Sequence, residues 1–295
     1  MPRRLLIASG LIVAVAAMSG CASAGSALPT PTPVATPLGD KTLNIVDLLE
    51  TAGDLSAFAP AQEAGTELAA REVNDAGGVL GSPVMIWHRA DTLPATLTEA
   101  AGAVKADAAI VAANPAAATA LFEIATTAKI ALLAIGTDKN IAEPTVKPYP
   151  DASAPAATGS AKPTGKATAS PSAGAHSTAP TAASSAAARK AGAAAVPSAE
   201  FVARLKTSNP FLAEFTYGAE SYQLVIALAL AATVAKDDAG PSLIRGLEQV
   251  TTGDVVCTDY ASCLTVLKDN RAIKYIGPAG RMAYDARVGV VTFGP

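Results

Sequence analysis

A helix that must end on glycine is written into residues 61–91, AQEAGTELAAREVNDAGGVLGSPVMIWHRAD, and it narrows the folds open to this chain. Small or apolar residues recur at Ala61, Gly65, Leu68, Ala69, Val73 and Ala76, the 3.6-residue spacing of a helix with one buried face. Glu67 and Arg71 lie four apart on the other face, where an exposed pair adds a few tenths of a kcal/mol. Gly77 and Gly78 stop the helix, because glycine reaches the left-handed backbone that helix ends need. Pro83 bars a restart, and the apolar residues 84–87 predict a strand. Helix, glycine turn and strand make half of an alternating α/β unit. Phosphate-binding glycine loops leave a strand and open a helix. The order here is reversed, so the glycines read as turn chemistry.

The pattern continues on both sides. Residues 42–49 (TLNIVDLL) predict a first strand. A helix over 96–105 sets Leu97, Ala101 and Val104 on one side, and residues 108–112 (AAIVA) predict a third strand. Asn114 before Pro115 reads as a helix N-cap with proline in the first turn, opening a helix to about residue 127 that buries Leu121, Ile124 and Ala125. Residues 130–135 (IALLAI) predict a fourth strand. Strands this apolar are covered on both faces, so the expectation is an α/β fold with a parallel sheet between helix layers. Further on, residues 219–235 are apolar on nearly every side. They read as a buried helix, with a second membrane segment as the alternative. Ser242 is the expected N-cap of a helix to residue 250, and a short helix follows at 260–267. Residues 273–275, 282–284 and 288–293 are the last predicted strands.

Composition sets the address and the exclusions. Arg3 and Arg4 precede an apolar run over 5–18, and Met18-Ser19-Gly20-Cys21 closes it. This resembles a bacterial lipoprotein signal with Cys21 as the lipidated residue; an ordinary signal peptide cut nearby is the alternative. Residues 22–36 are rich in Ala, Ser, Pro and Thr and read as a tether. Residues 143–198 have almost nothing large to bury, so they cannot offset their ordering entropy and are expected to be disordered; transient alanine helices are the alternative. Residues 1–20 hold two of the 22 basic residues and none of the 25 acidic ones, so without them the net charge moves from −3 to −5. No basic patch stands out, which gives nucleic-acid binding no support. With Cys21 lipidated, Cys257 and Cys263 remain, and an exported protein can join them in a disulfide worth ~2 kcal/mol for so short a loop. Free thiols and a metal site are the other readings, the last short of ligands, since His88 and His176 are the only histidines. There is no GxSxG, HExxH, Walker or CxxC motif, so no enzyme, cofactor or metal is expected.

The run Glu72-Val73-Asn74-Asp75-Ala76-Gly77-Gly78-Val79-Leu80-Gly81, with Ala64, Gly65, Leu68 and Ala69 before it and Asp91 after the next strand, resembles type I periplasmic binding proteins. More narrowly, it is similar to the branched-chain amino-acid (Leu/Ile/Val) receptors of ABC importers. Residues 217–222 (YGAESY) heading an apolar helix resemble a later family helix. Cys257, Cys263 and residues 273–280 (IKYIGPAG) resemble the tail of actinobacterial members. The resemblance covers residues 42–142 and 200–295. It implies two Rossmann-like α/β lobes clamping a solute, with the middle of the chain forming most of the second lobe. Here the middle is the low-complexity stretch. The implied plan is a lipoprotein signal peptide at 1–20, a tether at 21–41, the N-terminal part of one lobe at 42–142, a disordered linker at 143–198 in place of most of the second lobe, and a part completing the first lobe at 199–295.

Family members contact the solute from the loops after the third and fourth strands. Those loops bring in Asn114, where the usual glycine and serine are absent, and Gly136 with Thr137, which match the family's small hydroxyl pattern. Gln223 stands where the family often has an aspartate. The implied partners are a small-molecule solute such as an amino acid, an ABC permease, and the membrane through a lipid anchor on the extracellular face. The alternative is a single-lobed surface scaffold or sensor derived from such a receptor, with no transport role.

Overall fold

The computed structural model describes residues 38–135 and 194–294. The first segment alternates β1 (Asn44–Leu48), α1 (Ala59–Asp75), β2 (Met85–Arg89), α2 (Pro94–Ala103), β3 (Ala108–Ala112), α3 (Pro115–Ala128) and β4 (Ala131–Ile135). The second supplies α4 (Ala199–Ser208), α5 (Gly218–Ala235), α6 (Gly240–Thr252), β5 (Val255–Cys257), α7 (Tyr260–Lys268), β6 (Ile273–Tyr275), β7 (Arg281–Asp285) and β8 (Val290–Gly294). Six strands share one sheet in the order β2-β1-β3-β4-β8-β7, and β5 pairs with β6 in a second, parallel ribbon. Strands β1, β3 and β4 are buried at every residue because helices cover both faces. Helices α2 and α3 pack together; α1, α5 and α6 form the other layer. Strand β8 joins β4 in parallel, with Ala134 opposite Val290, so both segments contribute to one sheet. The architecture is thus α/β around a mostly parallel, Rossmann-like sheet.

The exception to parallel pairing is β7, and the reason is the length of its connection. Residues 286–289 are too few for a crossover, so β7 can only return antiparallel to β8. The turn closes with the Val288 and Gly289 amides donating to Asp285 O.

Helix α5 is buried from Gly218 to Ala232, which is why its sequence lacks a polar face. It is long and apolar enough to cross a membrane, yet 83% of that window lies inside the fold, packed by α1 and α6. The packing is close. A Cβ on Gly65 of α1 would lie 2.2 Å from Gly218 O, and one on Gly246 of α6 would lie 2.5 Å from Ala231 O. Neither glycine is there for its turn geometry; each removes a methyl that backbone would meet.

Some local expectations differ. Glu67 and Arg71 do not pair: Glu67 reaches His88, and Arg71 donates to Thr207 Oγ1 at 2.6 Å. Ala76 is exposed, because the helix ends before the last apolar position. Ser242 is not an N-cap. Helix α6 starts earlier, after Ala239 with Pro241 in its first turn, and the Ser242 hydroxyl donates to Asp237 Oδ2 at 2.5 Å. Strand β5 carried no sequence expectation, being three residues between two helices. Cys257 and Cys263 are joined, with Cα atoms 5.2 Å apart, linking β5 to the first turns of α7.

Replacing Gly65 by Ala is expected to destabilise the fold by about 1–3 kcal/mol, since backbone must shift to admit the methyl. The check is a urea titration: the midpoint falls while the slope stays constant. An unchanged midpoint would mean that α1 and α5 separate at no cost.

Candidate functional site

Open parallel sheets take ligands outside the carboxyl ends of their strands, at the point where successive connections leave in opposite directions. Here β2 lies on one side of β1 and β3 on the other, which places that point between β1 and β3. The loops after β1 and β3 flank it. The loop after β1 is tied to its neighbour: Thr51 Oγ1 donates to Ala90 O at 2.7 Å. Asp91 Oδ1 accepts the Leu93 amide at 3.1 Å and the Thr96 hydroxyl, which starts α2. After β3, Asn114 is exposed at the head of α3, and its Oδ1 accepts the Ala117 amide at 3.0 Å. The side chain sits on the carboxyl edge, and its oxygen already works as a helix cap. Gly136 and Thr137 lie outside the described residues, as does Cys21, so Asn114 is the one expected ligand contact with a described position.

Sequence reasoning missed a polar cluster at the same end of β1 and β2. Asp47, opposite His88 in the strand register, is fully buried. Its carboxylate accepts from Gln62 Nε2 at 2.5 Å, from Thr66 Oγ1 at 2.9 Å and from His88 Nδ1 at 3.0 Å. The other ring nitrogen, His88 Nε2, meets Glu67 Oε1 at 2.8 Å. An imidazole between two carboxylates has both nitrogens donating, which is the protonated form. Burial alone would lower the pKa of His88, but the hydrogen bond and charge of Asp47, with help from Glu67 and Glu63, raise it to about 9. A signal was present: Asp47 interrupts the apolar run of the strand that Asn44 opens, and a buried carboxylate needs partners. The cluster holds a proton and ties α1 to two strands. It holds no nucleophile, since the Thr66 hydroxyl is donated to Asp47. Among the described residues no group of three or more His, Cys, Asp or Glu is placed to hold a metal ion.

The run that carried the family resemblance is framework. Glu72 accepts from Arg204 Nη2 at 2.6 and 2.7 Å and from the Tyr222 hydroxyl at 2.5 Å, binding α1 to α4 and α5. Asn74 both donates to Val84 O and accepts the Val84 amide, so it splices the helix end to the approach of β2. Gly78 has φ +74°, and a Cβ there would lie 2.2 Å from Ser82 O. Gln223 is buried within α5. Its Oε1 accepts the Ala279 amide at 3.0 Å and its Nε2 donates to Gly280 O at 2.7 Å, so it clamps the turn before β7.

No protein-family model and no curated protein matches the chain. Solved structures similar over part of their length include the branched-chain amino acid transporter substrate binding protein LivJ from Streptococcus pneumoniae in complex with isoleucine. It is 27% identical over 34% of this chain and 30% of that chain, with a TM-score of 0.31. An ABC transporter protein from Rhodopseudomonas palustris is 26% identical over 31% and 29%, with a TM-score of 0.29. The leucine binding protein LivK from Thermotoga maritima is 22% identical over 33% and 29%, with a TM-score of 0.28. The chain spans about 30% of the length of these structures.

The folded state holds the His88 proton more tightly than the unfolded chain does. The stability it contributes is therefore whole below the ordinary histidine value of 6.5 and lost as pH rises through about 9. Asp107 acts in the same direction. Burial, with repulsion from Asp238, Asp40 and Asp237, outweighs its hydrogen bond from the Asn44 amide and pushes it from 3.8 up to about 8. The melting temperature is expected to fall between pH 6 and pH 9, and less steeply in His88→Gln. Identical slopes in scanning calorimetry would remove His88 as the cause.

Proposed function

We propose that this chain is an extracellular solute-binding lipoprotein of the amino-acid ABC-importer type, reduced to one working lobe. The single observation that carries the reading is the run from Glu72 to Gly81 placed as helix end, glycine turn and strand lead in a parallel α/β sheet. The Cys21 signal supports a lipid anchor on the outer face of the cell membrane; the expected tether over 21–41 ends before residue 38, because the Leu38 and Gly39 amides donate to Asp237. The expected linker over 143–198 ends earlier than its pattern implied, because the Ala195 amide donates to Glu220 Oε1 and Ser198 caps α4; on this reading residues 143–193 are a disordered linker, and residues 42–142 and 194–295 build the lobe. The solute would be a small molecule such as a branched-chain amino acid, delivered to an ABC permease. Its site would be the carboxyl edge, at Asn114, Gly136 and Thr137. No enzymatic step is assigned.

One observation favours the alternative, a surface scaffold or sensor without transport. A position in the loop expected to meet the ligand is occupied internally here, Asn114 Oδ1 by the Ala117 amide, and Gln223, where the family often has an aspartate, is taken up by Ala279 and Gly280. A single lobe also offers a ligand half of a desolvating wall.

Calorimetric titration of leucine, isoleucine and valine into the purified chain decides between them. With one lobe, Kd is expected no tighter than about 1 mM. Micromolar affinity would overturn the one-lobed reading and restore a complete receptor. The anchor has its own test. Cells fed an alkynyl palmitate should label the wild-type chain and leave Cys21→Ala dark; equal labelling of both removes the lipoprotein. Limited proteolysis should cut first within 143–193, and resistance there would refute the linker.

A further inference from the structure

A second concavity lies away from the residues just discussed. It has a volume of about 730 Å³ and is walled by the last turns of α5 and α6, by α7, and by the segment leading into β6. That volume is in the range of small-molecule sites. Its apolar lining comes from Val234, Leu264, Leu267 and Ile273. Its rim carries Lys236, Lys268 and Arg271 against the single carboxylate of Asp254, an excess of two positive charges.

Two features make this rim more than a solvated surface. First, Lys236, Lys268 and Arg271 are exposed and gathered at one apolar concavity, and among the described residues none of their side chains makes an ion pair or hydrogen bond. Second, the bland explanation for lysines at helix ends is that they neutralise terminal carbonyls. Here backbone amides already take part of those ends: the Lys236 and Asp237 amides donate to Ala232 O, the Asn270 amide to Leu267 O, and the Asp269 and Arg271 amides to Val266 O. The bond between Cys257 and Cys263 pins the start of α7, one wall of the cavity, beside β5, one residue before Leu264.

We propose that this cavity binds small amphiphilic carboxylates: an aliphatic or aromatic body against Val234, Leu264, Leu267 and Ile273, with the carboxylate among Lys236, Lys268 and Arg271. The occupant is a free molecule in solution rather than a membrane surface, because its apolar residues line an open concavity and not a flat basic face. The site is independent of the proposed solute-binding role and uses none of the loops assigned to it. Leucine carries an ammonium beside its carboxylate, so the three cations favour it less than a carboxylate alone.

The test uses the full chain and three probes with one body and different heads: octanoate, octanol and octylamine. Titration calorimetry is expected to show octanoate binding at least tenfold tighter than octanol, with no heat from octylamine. The double substitution Lys268→Glu with Arg271→Glu changes two exposed side chains that hold nothing in the fold. It should leave the melting temperature unchanged and abolish the preference for octanoate over octylamine. Substituting Leu267→Arg, which fills the apolar floor, should weaken octanoate and octanol alike. Equal binding of the three probes, a preference that survives the charge reversal, or no octanoate binding would each overturn the proposal. So would a chain that sediments with anionic vesicles while ignoring octanoate. Because leucine is titrated separately, failure here and failure of the solute-binding reading are told apart.

Discussion

The distance between α5 and its neighbours governs the rest of the structure. An apolar helix with no polar face can be kept from water only if something packs on all sides of it. Ordinary side chains at a contact hold helix axes about 8–10 Å apart. Gly65 and Gly246 let α1 and α6 come close enough for backbone to touch α5, so that dispersion contacts are made without a gap. Once α1 is set in this way, its polar partners follow. Glu72 falls beside Arg204 and Tyr222, and Gln62, Thr66 and Glu67 fall over Asp47 and His88.

Much of this fold was legible because its signals are local. The strand over 108–112 and the strand over 273–275 were read to the residue, since each is a short apolar run between breakers. Asn114 before Pro115 announced the start of α3, because the cap uses groups three residues apart. What could not be read depended on partners far away in sequence. The Ser242 hydroxyl resembles a cap in isolation, but Asp237 claims it, and Asp237 is itself held by the Leu38 and Gly39 amides from the other end of the chain. Glu67 has Arg71 at ideal helical spacing and turns instead to His88, a strand away. A charge-assisted bond to an imidazolium that is itself tied to a buried carboxylate is stronger than an exposed helical pair.

The same contrast separates the candidate sites. The carboxyl-edge site was expected from a family pattern, and the structure places only Asn114 of its three residues, with that residue's oxygen in use as a cap. The cluster of Asp47, His88 and Glu67 lies next to it and went unread, because one aspartate in an apolar strand and one histidine forty residues later form no sequence motif. The cavity beside α7 was invisible for a further reason. Its lining comes from three helix ends and a short connection, and each cation in it looks like an ordinary surface lysine or arginine until its lack of a partner is seen.

Gln223 shows how a buried amide can hold a turn. A carboxylate there would face the Ala279 amide but also Gly280 O, and an acceptor cannot bond a carbonyl without a proton. An amide satisfies both, because it has one oxygen to accept and one nitrogen to donate. The turn it holds is tight: a Cβ on Gly277 would lie 2.6 Å from the Tyr275 hydroxyl and 2.7 Å from Gln223 Oε1. Glutamine at 223 and glycine at 277 are therefore a matched pair.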